Sequence, residues 1–285
     1  MKALVCTSPR RFDYIDQDEP APAPGQAVLK IQRIGVCGTD LHAFEGTQPY
    51  FSYPRILGHE LAGIIVDTGG ANHLSIGSAA TLIPYFSCGH CIACRNGKPN
   101  CCSQIKVCGV HIDGGMREWL SVPASSVIQH PGLSLDALAL LEPLAIGAHG
   151  IRRAQVQPGE FVLVVGAGPI GLAAMQFAGL AGAEVIAMDL AEPRLQFARR
   201  LGIDHIVNAG AADHKEQLLD ITRGDMPTLV VDATGSQQAI NNSLNFLAHG
   251  GRYVLIGLQQ GPISFSHPEF HKRETTLMGS RNATA

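Results

Sequence analysis

The chain has 285 residues, 46% hydrophobic and 16% charged, a globular composition with enough apolar material for two cores rather than one, which excludes disorder, coiled coil and collagen. Its 24 acidic and 21 basic side chains leave a net charge of −3, no electrostatic footprint for nucleic acid or an anionic membrane, so the expected partners are small molecules.

Met1-Lys2-Ala3-Leu4-Val5 runs into Arg10-Arg11 without the apolar core and cleavage site of a secretory leader, so a cytoplasmic protein is expected. Short apolar or alternating runs at 2–6, 27–36, 61–66, 79–84 and 119–122 are separated by Pro, Gly and Ser, which predicts a β-rich domain with the spacing of a small barrel. A helical pattern over 138–153 leads to an expected boundary near residue 150, giving domains of 1–150 and 151–285. Beyond it, strands at 161–165, 184–188, 205–207, 228–231, 252–256 and 275–278 alternate with helices starting at Ile170, over 193–201, near 213–221 and over 237–247. That alternation predicts an α/β fold with a doubly wound parallel sheet. Residues 161–183 are uncharged over the length of a membrane span, but Gly166, Gly168, Pro169, Gly171, Gly179 and Gly182 interrupt them, and Phe161 to Val165 reads better as a buried strand. The N-x-S/T sequons at Asn241 and Asn282 are read as chance matches.

Cys88-Gly-His-Cys91-Ile-Ala-Cys94, followed by Cys102, is the most specific signal. Four thiolates at short spacing close a tetrahedron around zinc and mark a structural site, in a loop whose Gly89, Gly97 and Pro99 give it little apolar content of its own. Spacing alone allows Cys101 or Cys102 as the fourth ligand. With thiolates available, His90 is read as a solvated loop residue. The clustering also argues against a disulfide framework and for the cytosol.

Gly166-Ala-Gly168-Pro-Ile-Gly171 fits G-x-G-x-x-G after an apolar strand and at the start of a helix, the context a Rossmann dinucleotide site demands. Gly166 makes the turn, Gly168 admits the pyrophosphate, and Gly171 lets the helix pack closely. Asp189 ends the next strand, placed to accept the adenosine ribose hydroxyls and repel a 2′-phosphate, which favours NAD over NADP; Arg194 is a nearby cation that tempers this. Asp232-Ala-Thr-Gly235 ends a later strand at the expected cofactor rim.

Cys37-Gly-Thr39-Asp40-Leu-His42 follows one strand, and Gly58-His59-Glu60 precedes another. Together with the thiolate cluster and the nucleotide motif, these residues resemble the zinc-dependent medium-chain dehydrogenases, the alcohol, sorbitol and threonine dehydrogenase group, over the whole chain. The resemblance implies a GroES-like barrel domain before the Rossmann domain, and catalytic zinc on Cys37 and His59, with Glu60 and Glu142 as the carboxylate candidates. Three protein ligands and an exchangeable water leave a position for an alcohol. It also implies that Thr39 and His42 carry the substrate proton to solvent. Asp40 is read as the brace of a turn.

Within that family, residues 48–60 and 268–284 look most like the bacterial sugar-acid members, which oxidise a secondary hydroxyl of an aldonate such as L-galactonate. The implied reaction is hydride transfer from a polyol or sugar acid to NAD+, with Arg55, Lys272 and Arg273 as candidate cations for a carboxylate. Gly77-Ser-Ala-Ala80 departs from the family's usual Gly-Asp-Arg-Val turn. Full-length relatives, expected to be homo-oligomers, continue beyond the segment that ends this chain. A C-terminally truncated fragment, with uncovered apolar surface and reduced stability, is therefore expected. The alternative reading is an inactive zinc- and nucleotide-binding fragment.

Overall fold

A computed structural model describes residues 1–284, which divide into two compact units, Met1–Glu142 with Thr284, and Pro143–Ala283. In chain order the first unit carries β1 (Lys2–Ser8), β2 (Arg11–Asp16), β3 (Gln26–Gly35), α1 (Gly38–Glu45), β4 (Arg55–Ile56) and β5 (Glu60–Asp67). There follow β6 (Ala79–Leu82), β7 (Tyr85–Phe86), α2 (Ile92–Arg95), β8 (Lys106–Val107), β9 (Trp119–Pro123), β10 (Val127–Gln129) and α3 (Leu135–Ala139).

Two antiparallel sheets dominate this unit, one ordered β10-β6-β5-β3-β9 and the other β2-β1-β4, with a bridge between Ala3 and Arg117. β9 shows the cause: Leu120 and Val122 alternate inward at 1% exposure each and meet Leu29, Leu61 and Ile65 in one core. The antiparallel pairing of β3 with β5 sets Gly35 opposite Glu60. The residues just past the end of β3 therefore lie beside those just before β5, and this brings Cys37 to His59. β2 was absent from the expected strands because Arg11, Asp13 and Asp16 mask its alternation; it forms on the sheet edge, where charged side chains stay in water.

The division between the units falls within α4 (Leu141–Ala154). The single helix expected over 138–153 is corrected to two, α3 and α4. Ser134 caps α3 by accepting from the Ala137 amide, and Pro143 cannot donate to the Ala139 carbonyl, so the helix stops at Leu140 and restarts.

The second unit continues with β11 (Phe161–Val165), α5 (Pro169–Leu180), β12 (Glu184–Asp189), α6 (Glu192–Arg200), β13 (His205–Asn208) and α7 (His214–Ile221). β14 (Leu229–Asp232), α8 (Gln237–Ser243), β15 (Arg252–Leu255), α9 (His267–Lys272) and β16 (Thr276–Gly279) complete it. The helix expected over 237–247 ends at Ser243 and tightens into a 3-10 turn over Leu244–Phe246. α9 was not expected at all.

The six strands form one parallel sheet ordered β13-β12-β11-β14-β15-β16. β11 is buried on both faces: Val162 and Val164 point into a core with Ala174, Met175 and Leu195, and Leu163 and Val165 into another with Ile186, Leu218 and Tyr253. The order reverses at β11 and β14, the switch point of a Rossmann sheet, and Val165, Asp189 and Asp232 end their strands at its carboxyl edge. Among the described residues no helix is long and apolar enough to cross a membrane.

Candidate metal and nucleotide sites

Cys88, Cys91, Cys94 and Cys102 converge with their sulfurs within 4.8 Å of one another, and none is in a disulfide. Cys91 and Cys94 Sγ are 3.5 Å apart, near the edge of about 3.8 Å that zinc–sulfur bonds of about 2.3 Å give a tetrahedron. Backbone amides aim at the sulfurs: Cys91 N donates to Cys88 Sγ at 3.4 Å, and Cys88 N and Gln104 N each donate to Cys102 Sγ at 3.3 Å. Amides from Cys94 and Ser103 pull Cys91 down to about 5, while burial and the Cys91 contact push Cys94 up to about 11. Four converging sulfurs with backbone amides directed at them fit a zinc ion. Cys102 is buried and joins the cluster, whereas Cys101 points to solvent; geometry thus separates the two candidates. His90 stays exposed, its Nδ1 2.8 Å from the Cys88 carbonyl.

The second group is Cys37, His59 and Glu60, whose ligand atoms also lie within 4.8 Å of one another. Cys37 is the N-cap of α1, in the capping arrangement where the Asp40 carboxylate accepts from the Cys37 amide at 2.9 Å. The other oxygen of Asp40 accepts from Gly58 N at 3.2 Å and lies 3.8 Å from His59 Nδ1. One buried carboxylate thereby ties both ligand-bearing segments together, more than the turn brace expected of it. Gly35 makes room on the adjacent strand, because a side chain there would overlap the Glu60 carboxylate.

His59 Nδ1 is buried without a hydrogen-bond partner. Burial opposes charge on this ring, yet its hydrogen bond to Cys37 and the negative charges of Cys37, Glu142 and Asp40 push it up to about 10. Burial raises Glu60 and Glu142 as well. A pocket that draws a proton onto a buried histidine is short of positive charge, and a thiolate, an imidazole and a carboxylate are a zinc donor set. The residues present fit the ion. Glu142, at the start of α4, is buried but does not meet the spacing of the trio; its Oε1 accepts a hydrogen bond from the Tyr85 hydroxyl. Burial and that carboxylate hold Tyr85 well above the ordinary phenol range. Tyr85 was missed from the sequence, which offers no signal beyond its place three residues before Cys88.

Thr39 and His42 stand three apart on α1 and so share a face. His42 is half in solvent, its Nδ1 3.1 Å from Thr47 Oγ1 and 3.5 Å from Glu45 Oε2.

At the nucleotide motif, Gly166 takes φ +100°, a conformation L side chains rarely adopt, and a side chain at Gly171 would overlap the Gly166 carbonyl. Nothing lies within 4 Å of the Cβ position at Gly168, so the backbone is open there to a ligand. Gly168 also caps α5 without a side-chain bond, which leaves the first amides of the helix available to an anion. A cavity of about 300 Å³ lies alongside, lined by Ala167, Gly168, Pro169, Leu172, Pro193, Arg194 and Phe197. Asp189 is fixed by accepting from Ala167 N at 2.7 Å and Ala191 N at 2.8 Å, with Arg194 Nη1 3.7 Å away. Asp232 is fully buried and braces its turn by accepting from the Thr234 hydroxyl and the Thr234 and Gly235 amides.

The three candidate cations are not alike. Arg273 donates to the Leu247 carbonyl at 2.5 Å, and Lys272 lies 3.9 Å from Glu269. Arg55 reaches Ser52 Oγ at 3.1 Å and Asp113 at 3.5 Å, but its buried Nε has no partner.

Residues 23–132 match the alcohol dehydrogenase GroES-like domain family, and residues 169–284 the zinc-binding dehydrogenase family. The L-galactonate-5-dehydrogenase of Escherichia coli K12 is 47% identical over 286 residues, spanning 100% of this chain and 84% of that protein. A sorbitol dehydrogenase of Halalkalibacterium halodurans is 34% identical over 290 residues, spanning 99% of this chain and 84% of its own length. The crystal structure of an alcohol dehydrogenase, RspB of Escherichia coli CFT073, complexed with NADH, superposes with a TM-score of 0.91 at 31% identity, over 99% of this chain and 84% of that one.

Proposed function

The chain belongs to the zinc-type medium-chain alcohol dehydrogenases, enzymes that use a nicotinamide cofactor, and from that membership we propose that it oxidises a secondary hydroxyl of a polyol or sugar acid, L-galactonate foremost, with NAD+. The observation that carries the reading is the convergence of Cys37, His59 and Glu60. These three would hold the catalytic ion, and Cys88, Cys91, Cys94 and Cys102 a structural one. When bound, zinc supplies a Lewis acid to the substrate hydroxyl and NAD+ the hydride acceptor.

The chain's own groups do the rest. The Thr39 hydroxyl accepts the substrate proton and hands it on, and the half-exposed ring of His42, on the same face of α1, carries it to water. The Gly168 turn and the free amides of α5 receive the pyrophosphate, and Asp189, already oriented by two amides, takes the adenosine ribose hydroxyls and disfavours a 2′-phosphate. Arg194, beside Asp189, forms the outer wall of that site. Of the three candidate cations, Arg273 is committed to the Leu247 carbonyl and Lys272 lies beside Glu269, which leaves Arg55, itself paired with Ser52 and Asp113, as the one to test against a sugar-acid carboxylate.

The 47% identity to the L-galactonate-5-dehydrogenase of Escherichia coli supports L-galactonate as the first substrate to try. The test follows NADH formation by zinc-loaded protein with L-galactonate, sorbitol, threonine and simple alcohols. Turnover of L-galactonate above the others is expected; inactivity towards every secondary alcohol would sink the proposal.

A further inference from the structure

We propose that Tyr85 is a positioning residue that holds the Glu142 carboxylate out of the Cys37, His59 and Glu60 trio and so keeps a coordination position open for substrate. The inference rests on the reading of that trio as the catalytic metal site.

Both ends of the contact are built. Tyr85 lies on β7, paired opposite Val107 of β8, and its ring packs against the cluster of Cys102, Ile105, Val107 and Val110. The four-cysteine lobe therefore anchors the phenol, and its hydroxyl meets Glu142 Oε1, 57 residues further along the chain. Glu142 is 8% exposed, so its carboxylate needs a partner inside the protein.

Two partners compete for it. One is a cation held by the trio; the other is the neutral Tyr85 donor. The Cys37 thiolate and the Glu60 carboxylate already balance the charge of a divalent ion. A second carboxylate would leave the site negative and fill the fourth position that an exchangeable ligand needs. A hydrogen bond from a neutral hydroxyl satisfies Glu142 without either consequence. Glu60 is thus the resting carboxylate ligand, and Tyr85 is what sets it apart from Glu142.

The test uses the full chain with cobalt(II) in place of zinc, because visible absorption of the metal reports its ligand number directly. In Tyr85→Phe, Glu142 is released: the cobalt spectrum shifts towards a higher ligand number and kcat falls about tenfold, the lower end for a group that orients a ligand. Adding Glu142→Gln to Tyr85→Phe returns the spectrum to that of the wild type, a rescue that a merely structural tyrosine would not show. Glu142→Gln alone leaves the spectrum unchanged, which keeps the proposal testable if Tyr85→Phe does not fold. An unshifted spectrum in Tyr85→Phe, a shift that persists in the double variant, or a shift in Glu142→Gln alone overturns the inference. A wild-type chain that takes up only the four-cysteine metal overturns the functional reading and this one with it.

Discussion

Oδ1 of Asp40 lies 3.8 Å from Nδ1 of His59, with both side chains buried, at 3% and 7% exposure. The same carboxylate accepts from Gly58 N and Cys37 N, so it fixes the approach of the segments that carry Cys37 and His59 as well as facing the ring of one. Asp40→Asn keeps an acceptor but loses the charge, and zinc affinity at the trio should drop about 10–100-fold. Asp40→Ala strands buried amides and should also cost about 1–3 kcal/mol of stability. Chelator competition and thermal melting measure the two effects; unchanged affinity in both variants would falsify the role.

Metal-free protein should lose stability as pH rises, because His59 is held up to about 10 against an ordinary 6.5. A raised histidine contributes stability that is complete below about 6.5 and disappears as pH climbs through about 10. Zinc competes with the same proton, so apparent zinc affinity should rise over that window. Urea midpoints of stripped protein beside His59→Gln check the first trend, and a flat difference between them would rule it out.

Cys101 and Cys102 are neighbours in sequence but opposite in environment, exposed and buried respectively. Cys102→Ser should remove the zinc of the four-cysteine lobe and destabilise it, whereas Cys101→Ser should keep the full zinc content. Metal analysis of the two purified variants decides, and equal losses would contradict the ligand assignment.

A methyl group at Gly171 has no room beside the Gly166 carbonyl. Gly171→Ala should displace α5 from the turn, lowering the melting temperature and weakening NAD+ binding by at least tenfold, about 1.4 kcal/mol. Calorimetric titration with NAD+ is the measurement, and wild-type affinity would be the contrary result.

Asp189 and Arg194 face one another at 3.7 Å. Asp189→Ser removes the carboxylate proposed to accept the ribose hydroxyls and frees Arg194 for a 2′-phosphate. The ratio of kcat/KM for NAD+ over NADP+ should fall about tenfold or more. A ratio equal to that of the wild type would show that cofactor choice is made elsewhere.

Much of the fold was legible because it is local. The parallel sheet announced itself through the alternation of apolar runs and helical patterns, and the four-cysteine lobe and the glycine turn through spacing within a few residues. β2 was hidden by its charged residues at the sheet edge, and α3 and α4 were fused because Leu138 to Arg153 keeps a helical pattern across the Pro143 break. Cys37 and His59 are separated by 21 residues and were paired only through family resemblance. Asp40 looked like a turn brace, since its second oxygen acts on a segment far along the chain.

By itself the sequence determined the α/β fold class, its two cores, the cysteine cluster and the glycine turn, because each is written in periodicity or short spacing. Only the tertiary structure decided that Cys102 and not Cys101 joins the cluster, that Glu60 completes the trio, and that Tyr85 engages Glu142. These depend on register: β3 and β5 pair antiparallel with irregularities at Val28/Leu29 and Ile31/Arg33 before Gly35 meets Glu60. A slip of one residue would turn every side chain on that strand to the opposite face, and packing of the whole sheet, rather than any local run of residues, selects the register.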